Sequence, residues 1–112
     1  MSTTAEIDPG ICGFLAAVSV STDDQQHVLI DLESDCESIQ LLGGLLGEIT
    51  PIDAYAEMGP DEGVILKTAR GVLQTRGCCE ACVVPAAICK TVHVAAGLAL
   101  PRDVSIRMVP GD

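Results

Sequence analysis

The sequence predicts an α+β fold in which a three-stranded antiparallel sheet, made of an N-terminal hairpin and a C-terminal strand, carries helices on one face. Two early segments alternate apolar and polar residues with the period of two that is typical of strands, and residues 103–109 do so again. The chain between them has helix starts and apolar residues at helical spacing. Elements of both kinds pack as a sheet layer and a helix layer.

The hairpin is predicted from two alternating segments on either side of a polar turn. The first, residues 12–20, has one face made of five alternate side chains: Cys12, Phe14, Ala16, Val18 and Val20. The second, residues 27–33, alternates apolar and polar side chains, which indicates a single buried face. Residues 1–10 end in Pro-Gly and are expected to be a flexible leader, so residues 11–112 form a single α+β domain.

Four helices are predicted between the hairpin and the last strand. Ser34 and Glu37 have the spacing of a capping box, so Ser34 is expected to cap the first helix. Pro51 predicts the start of a short second helix. The third helix begins near residue 61 and carries an apolar stripe, and the fourth runs from about residue 82 to residue 96.

Composition excludes several classes of partner. The chain has 112 residues and a net charge of −10, and its six basic residues are scattered. Nucleic acids and anionic membrane surfaces bind clustered positive charge, so neither is expected as a partner. The N-terminus lacks the basic start of a signal peptide, and no apolar run is long enough to span a membrane. The expected location is therefore the cytoplasm.

The cysteines carry the strongest chemical signal in the sequence. Cys12 opens the first predicted strand, Cys36 lies at the first helix start, and Cys79 and Cys82 bracket the start of the last helix. Cytoplasmic thiols stay reduced, so grouped cysteines there indicate metal or redox chemistry more often than disulfides. Helix N-termini favour anions such as thiolates, which are the form that binds metal.

These positions predict one site with four cysteine ligands, Cys12, Cys36, Cys79 and Cys82, in which Cys78 can substitute for Cys79. Their sulfurs are expected to converge on one edge of the fold. Thiolates select soft metals, and a ligand set made of sulfur alone favours an iron–sulfur cluster, with zinc as the alternative. The protein would then bind a metal or cluster as a scaffold or carrier does, with a protein partner in its transfer.

Two other functions stay open at this point. Cys79 and Cys82 also have the spacing of a thiol redox pair, in which one thiolate attacks and the other resolves. Alternatively, the cysteines are small apolar residues that pack in a structural or interaction module. Cys89, on the same helix face as Val92, is interpreted in this way.

Self-association is predicted from the last helix. Residues 92–100 carry small and apolar side chains around most of the helix circumference, more than one sheet face can cover. Apolar surface of this extent typically marks an interface. A homodimer is therefore expected, kept soluble by the acidic remainder of the chain.

Two segments resemble a known group of proteins. They are LESDCESIQLL at 32–42 and ACVVPAAICKTVHVAAGLALPRDVSI at 81–106. Both are similar to a small uncharacterised cysteine-containing family of anaerobic bacteria and archaea, with a Ser-Asp-Cys before a helix and an Ala-Cys-x-Val-Pro segment near the end. The resemblance covers the chain from Cys12 onwards and implies no activity.

The order of the cysteines also resembles that of U-type iron–sulfur scaffold proteins. Those proteins have Cys-Gly before a hairpin, a second Cys where the hairpin meets a helix, and a third at a later helix start. Cys12, Cys36 and either Cys79 or Cys82 follow that order. Phe14 stands where the scaffold has Asp, and the scaffold's Leu-Pro-Pro segment is absent. The resemblance implies cluster binding at these cysteines.

Overall fold

The fold is α+β, and its sheet has four antiparallel strands in the described residues rather than the three predicted. The computed structural model describes residues 2–75 and 81–111. Neighbours along the chain are neighbours across the sheet, in the order β1-β2-β3-β4. The strands are β1 Ser2–Ile7, β2 Ala16–Thr22, β3 His27–Ser34 and β4 Ile52–Asp53.

The helices cover one face of this sheet, as predicted. They are α1 Glu37–Ile49, α2 Val64–Thr75 and α3 Val84–Ala95, and a 3-10 turn at Ala54–Glu57 follows β4. α1 packs over β3, α3 packs over β1 and β2, and α2 packs against both other helices. The alternating residues Val18, Val20 and Val28 are fully buried between the layers. The predicted β2–β3 hairpin, with one buried face, is therefore confirmed.

The expected leader is strand β1 over Ser2–Ile7. This strand pairs with β2 from Ser2 opposite Ser21 to Ile7 opposite Ala16. Its alternation is carried by small side chains, because Thr3, Ala5 and Ile7 face the helices while the residues between them are exposed. Threonine and alanine give a weak hydrophobic period, and that is why the sequence did not predict the strand.

The predicted C-terminal strand is wrong, because residues 98–111 form neither strand nor helix. The β2 edge of the hairpin, where a third strand could add, is occupied by β1. The other hairpin edge begins to pair with β4, through Val28 opposite Ile52 and His27 opposite Asp53. The C-terminal residues pair with neither edge of the hairpin in their own chain.

The predicted second helix is replaced by β4 and the 3-10 turn. Ile52 is buried against the core and Ala54 donates a backbone hydrogen bond to the Gln26 carbonyl oxygen at 2.7 Å. The Asp53 carboxylate then accepts a hydrogen bond from the Tyr55 backbone N–H at 3.0 Å. Because Ile52 and Asp53 are extended and pair with the start of β3, a helix cannot begin at Pro51, and only the 3-10 turn follows them.

Helix α1 continues through three glycines, Gly43, Gly44 and Gly47, to its end at Ile49. Gly43 lies against β3, where a Cβ atom would come within 3.2 Å of the Leu32 carbonyl oxygen. The missing side chain therefore lets the helix pack closely on the sheet. An Ala at this position would push α1 away from β3.

Candidate thiol site

Three cysteines of the predicted site lie toward one end of the sheet, which we call the cysteine end. It is the end at which β1 finishes at Ile7, β2 begins at Ala16 and β3 finishes at Ser34. The opposite end, where the 22–26 turn lies, is called the hairpin end. The chain passes the cysteine end in the β1–β2 loop and in the connection from β3 to α1.

Cys12 lies in the β1–β2 loop and is exposed, so the prediction that it opens the first strand is wrong. Gly10 and Gly13 both have positive φ angles, of 93° and 75°, and the Gly13 N–H donates to the Gly10 carbonyl oxygen at 3.0 Å. This tight turn breaks the extended chain before Ala16, because glycine adopts such angles without strain.

Cys36 is the N-cap residue of α1 and is half-buried. Ser34, which was expected to cap this helix, still belongs to β3. Its hydroxyl accepts a hydrogen bond from the Cys36 N–H at 3.1 Å and donates one to the Leu15 carbonyl oxygen at 2.9 Å. Ser34 therefore joins the loop that carries Cys12 to the turn that carries Cys36.

Cys82 precedes Val83, the N-cap residue of α3, and is half-buried against the hydrophobic core. Pro85 lies in the first turn of α3, where a missing N–H costs no helical hydrogen bond. Cys78 and Cys79 lie outside the described residues.

The direction of the helices follows from Glu57 at the hairpin end. Its carboxylate accepts hydrogen bonds from the first amides of α2, those of Val64 at 3.0 Å and Ile65 at 2.9 Å. Its carbonyl oxygen is 3.0 Å from Nε2 of His93, near the end of α3. Since α2 starts and α3 finishes at the hairpin end, α2 finishes and α3 starts toward the cysteine end.

The described cysteines do not form a metal site by themselves. Within residues 2–75 and 81–111, no three His, Cys, Asp or Glu side chains are arranged to hold a metal ion. Cys12, Cys36 and Cys82 are therefore not a three-ligand group. The predicted set of four also needs Cys79, or Cys78 in its place, and stays a prediction.

Cys89 has the environment of a packing residue. It lies on α3, half-buried and in contact with the core. Burial, and then the negative charge of Glu57, raise the pKa of the Cys89 thiol to about 11. The thiol is therefore neutral near pH 7, and neutral thiols are poor metal ligands and poor nucleophiles.

Sequence reasoning missed Glu57, the most buried acidic side chain that the structure describes. It is 8% exposed, and Gly63 lies so close that any Cβ atom there would overlap its carboxylate. Nothing in the residues around Glu57 distinguishes it from a surface acid. The available signal was Gly63, one residue before a helix that lacks a Ser, Thr, Asp or Asn cap of its own.

A second missed pair lies in the turn at the hairpin end. Nδ1 of His27 is 2.7 Å from the Asp24 carboxylate, and both side chains are exposed. Hydrogen bonding to His27 holds the pKa of the Asp24 carboxyl well below its usual range, and the same bond raises the pKa of His27. The spacing of three residues across a tight turn could have indicated the pair.

Comparison with known proteins gives one match. The profile of a family described as a family of unknown function, DUF6951, matches residues 3–108. No curated protein matches the chain, and no solved structure matches it. In the part of the chain that the structure describes, no helix has both the length and the apolar character needed to cross a membrane.

Proposed function

The chain belongs to this family of unknown function, and from the placement of its cysteines we propose that it binds a metal ion or an iron–sulfur cluster through cysteine thiolates. The proposed ligands are Cys12, Cys36, Cys82 and Cys79, with Cys78 as the substitute for Cys79. We also propose that this family is the one found in anaerobic bacteria and archaea, whose members have the Ser-Asp-Cys and Ala-Cys-x-Val-Pro segments. The proposed location is the cytoplasm.

The observation that carries the proposal is that the three chain segments with Cys12, Cys36 and Cys82 lie toward the same end of the sheet. The loop with Cys12 and the turn with Cys36 meet through the two hydrogen bonds of Ser34. Cys82 is separated from α3 by one residue and lies toward the same end, since His93 holds the far end of that helix at Glu57. These three cysteines do not form a three-ligand group in the structure, so metal binding would have to draw their segments together, with Cys79 or Cys78 as the fourth ligand of a tetrahedral set.

The donor chemistry fits a soft metal. The four proposed ligands supply sulfur alone, and four thiolates suit either an iron–sulfur cluster or zinc. Cys36 and Cys82 are half-buried, so each could hold a ligand bond while remaining partly shielded from solvent. Cys12 is exposed on a loop, in a tight turn between Gly10 and Gly13, where a bond could form or break without disturbing the core. An exposed ligand of this kind suits transfer to a protein partner.

The main alternative is an interaction module in which cysteines serve as packing residues. One observation favours it, namely that Cys36, Cys82 and Cys89 all pack against the hydrophobic core. A thiol redox pair formed by Cys79 and Cys82 is the third candidate. It needs no contribution from Cys12 or Cys36, and that difference separates it from the metal proposal.

The test is anaerobic purification followed by elemental analysis and a visible spectrum. We expect iron with sulfur-to-iron absorption bands, or zinc, bound in a fixed ratio to protein. Cys12→Ser, Cys36→Ser and Cys82→Ser should each lower that ratio, whereas Cys89→Ser is the matched control and should not. A colourless, metal-free protein with all thiols reduced would refute the proposal and support the packing alternative. Disulfide or peroxide turnover that survives Cys12→Ser would support the redox pair instead.

A further inference from the structure

The last residues of the chain form an exposed segment with the pattern of a strand. Beyond α3, residues 98–111 have no helix or strand, and residues 103–111 form no backbone–backbone hydrogen bond among the described residues. One face of residues 103–109 would be made of Val104, Ile106 and Met108, which are 61%, 66% and 85% exposed. Removing three such apolar side chains from water would be favourable, so a partner surface that covers them would bind this segment.

The sheet has a free edge that fits this segment. β1 is the first strand in the sheet order and pairs only with β2 among the described residues. Its six residues carry one charge, that of Glu6, and no Pro or Lys, which are the residues that usually protect an edge from further pairing. The open edge therefore offers a row of unpaired amides and carbonyl groups about as long as residues 103–109.

We propose that residues 98–109, here called the arm, dock on a second copy of this chain, where residues 103–109 add as a strand to the free edge of β1. Val104, Ile106 and Met108 then extend the inward face formed by Thr3, Ala5 and Ile7. This face already packs under α3. The proposal is independent of metal binding.

Charge favours a second copy as the occupant. Residues 1–97 carry 14 acidic and 4 basic side chains, whereas the arm carries Arg102 and Arg107 against Asp103 alone. Two acidic bodies repel each other, and an arm with two arginines lowers that repulsion where it docks. With the apolar face inward, Arg107 lies on the outward face of the added strand, the face on which Glu6 is exposed in β1.

The size of the interface also suits a dimer. Each copy would contribute its arm of twelve residues and the six residues of its β1 edge. That is roughly 18 residues a side, close to the twenty or more of a standard stable interface. Reciprocal exchange of two arms uses the arm and the β1 edge of both copies, so this contact is satisfied at two copies.

The arm also changes the basis of the expected homodimer. The surface first predicted to pair, on α3, is largely covered within the chain, since Val92, Ala95 and Ala96 are buried. The exposed apolar side chains begin after the helix, at Leu98 and Leu100. The dimer contact therefore belongs to the arm rather than to the helix.

Sedimentation of the full-length chain across the micromolar range tests the proposal. We expect a dimer whose dissociation constant rises by at least about tenfold in Ile106→Asp. Val109→Asp is the matched control, because it adds the same charge to the opposite face of the arm and should leave the dimer intact. Both residues are exposed in the single chain, so neither change should unfold it.

Hydrogen exchange locates the contact. Amides of residues 2–7 and 103–109 should become protected as the protein concentration rises, and Ile106→Asp should abolish that protection. A wild-type monomer whose arm is protected at every concentration would mean that the arm folds back on its own chain, and would overturn the proposal. A dimer with the same dissociation constant in Ile106→Asp, or one without protection at 2–7, would overturn it too.

Discussion

The Glu57 carboxylate accepts a hydrogen bond from the backbone N–H of Ile65 at 2.9 Å, across eight positions of sequence. A second bond, from the N–H of Val64, satisfies another amide at the start of α2. Helix N-termini leave such amides without partners inside the helix, and an acidic side chain also interacts favourably with the helix dipole there. Glu57 therefore acts as the cap of a helix that begins seven residues later.

Removal of this cap should destabilise the fold. We expect Glu57→Ala to lower the free energy of unfolding by about 2 kcal/mol, because one buried and one part-buried amide lose their carboxylate acceptor. Chemical denaturation followed by circular dichroism measures the change. Glu48→Ala, which removes an exposed acid from α1, is the control and should change stability by less than about 0.5 kcal/mol. Equal losses in the two variants would contradict a capping role.

Two glycines should respond to alanine in opposite directions. At Gly63 an added Cβ would overlap the Glu57 carboxylate, so Gly63→Ala should displace the cap and cost about 2 kcal/mol. At Gly44, inside α1, no atom lies within 4 Å of the added Cβ. Gly44→Ala should therefore stabilise the fold by roughly 0.5–1 kcal/mol through helix propensity. Thermal unfolding of the two variants compares them, and a stabilising Gly63→Ala would disprove the close contact.

Much of this fold could be predicted where side chains are large enough to give a clear period. The β2–β3 hairpin follows from Val18, Val20, Val28 and Ile30, and α2 from the stripe of Ile65, Ala69 and Val72. β1 could not be predicted, since Thr3 and Ala5 resemble a polar linker until their pairing with β2 is known. Residues 103–109 are the opposite case, since their alternation predicts a strand that the structure does not contain. The edge of β2 where such a strand could pair is occupied by β1.

The candidate site was predictable in part. That Cys36 lies at a helix start follows from the polar residues around it, and that Cys82 precedes α3 follows from Pro85. That both cysteines lie toward the same end of the sheet depends on Glu57 and His93. Their contacts, between residues distant in sequence, place the start of α2 and the end of α3 at the hairpin end. A side chain such as Glu57 cannot be recognised as buried from its neighbours along the chain, because its burial depends on Gly63 and on α3.

The Asp24–His27 pair predicts a pH dependence at the hairpin end. The raised pKa of His27 means that its contribution to stability is complete below its unfolded pKa and is lost as pH rises through the folded value. The lowered pKa of Asp24 means that its contribution is present above its unfolded pKa and is lost as pH falls. The pair should therefore stabilise the turn most between about pH 4 and about pH 6.5.

NMR titration of the His27 ring measures this effect. In Asp24→Asn the His27 pKa should move down toward its ordinary value, because the first cause of its shift is the hydrogen bond to the Asp24 carboxylate. An unchanged His27 titration in the variant would show that the pair does not form in solution.

The thiols should differ in reactivity in an order set by exposure and charge. Cys12 is exposed on the β1–β2 loop, so iodoacetamide should modify it fastest in the native, metal-free protein. Cys89 should react slowest, because its pKa of about 11 leaves only about one thiolate in several thousand at pH 7.5, and thiolate is the reacting form. Timed labelling with peptide mass spectrometry measures each rate.

Glu57→Gln should speed the Cys89 reaction, since it removes the nearby negative charge, and should leave the Cys12 rate unchanged. If Cys89 reacts as fast as Cys12, its burial is lost in solution and the packing role assigned to it is wrong. If metal then protects Cys12 and Cys36 but not Cys89, the labelling pattern will also separate site cysteines from packing cysteines.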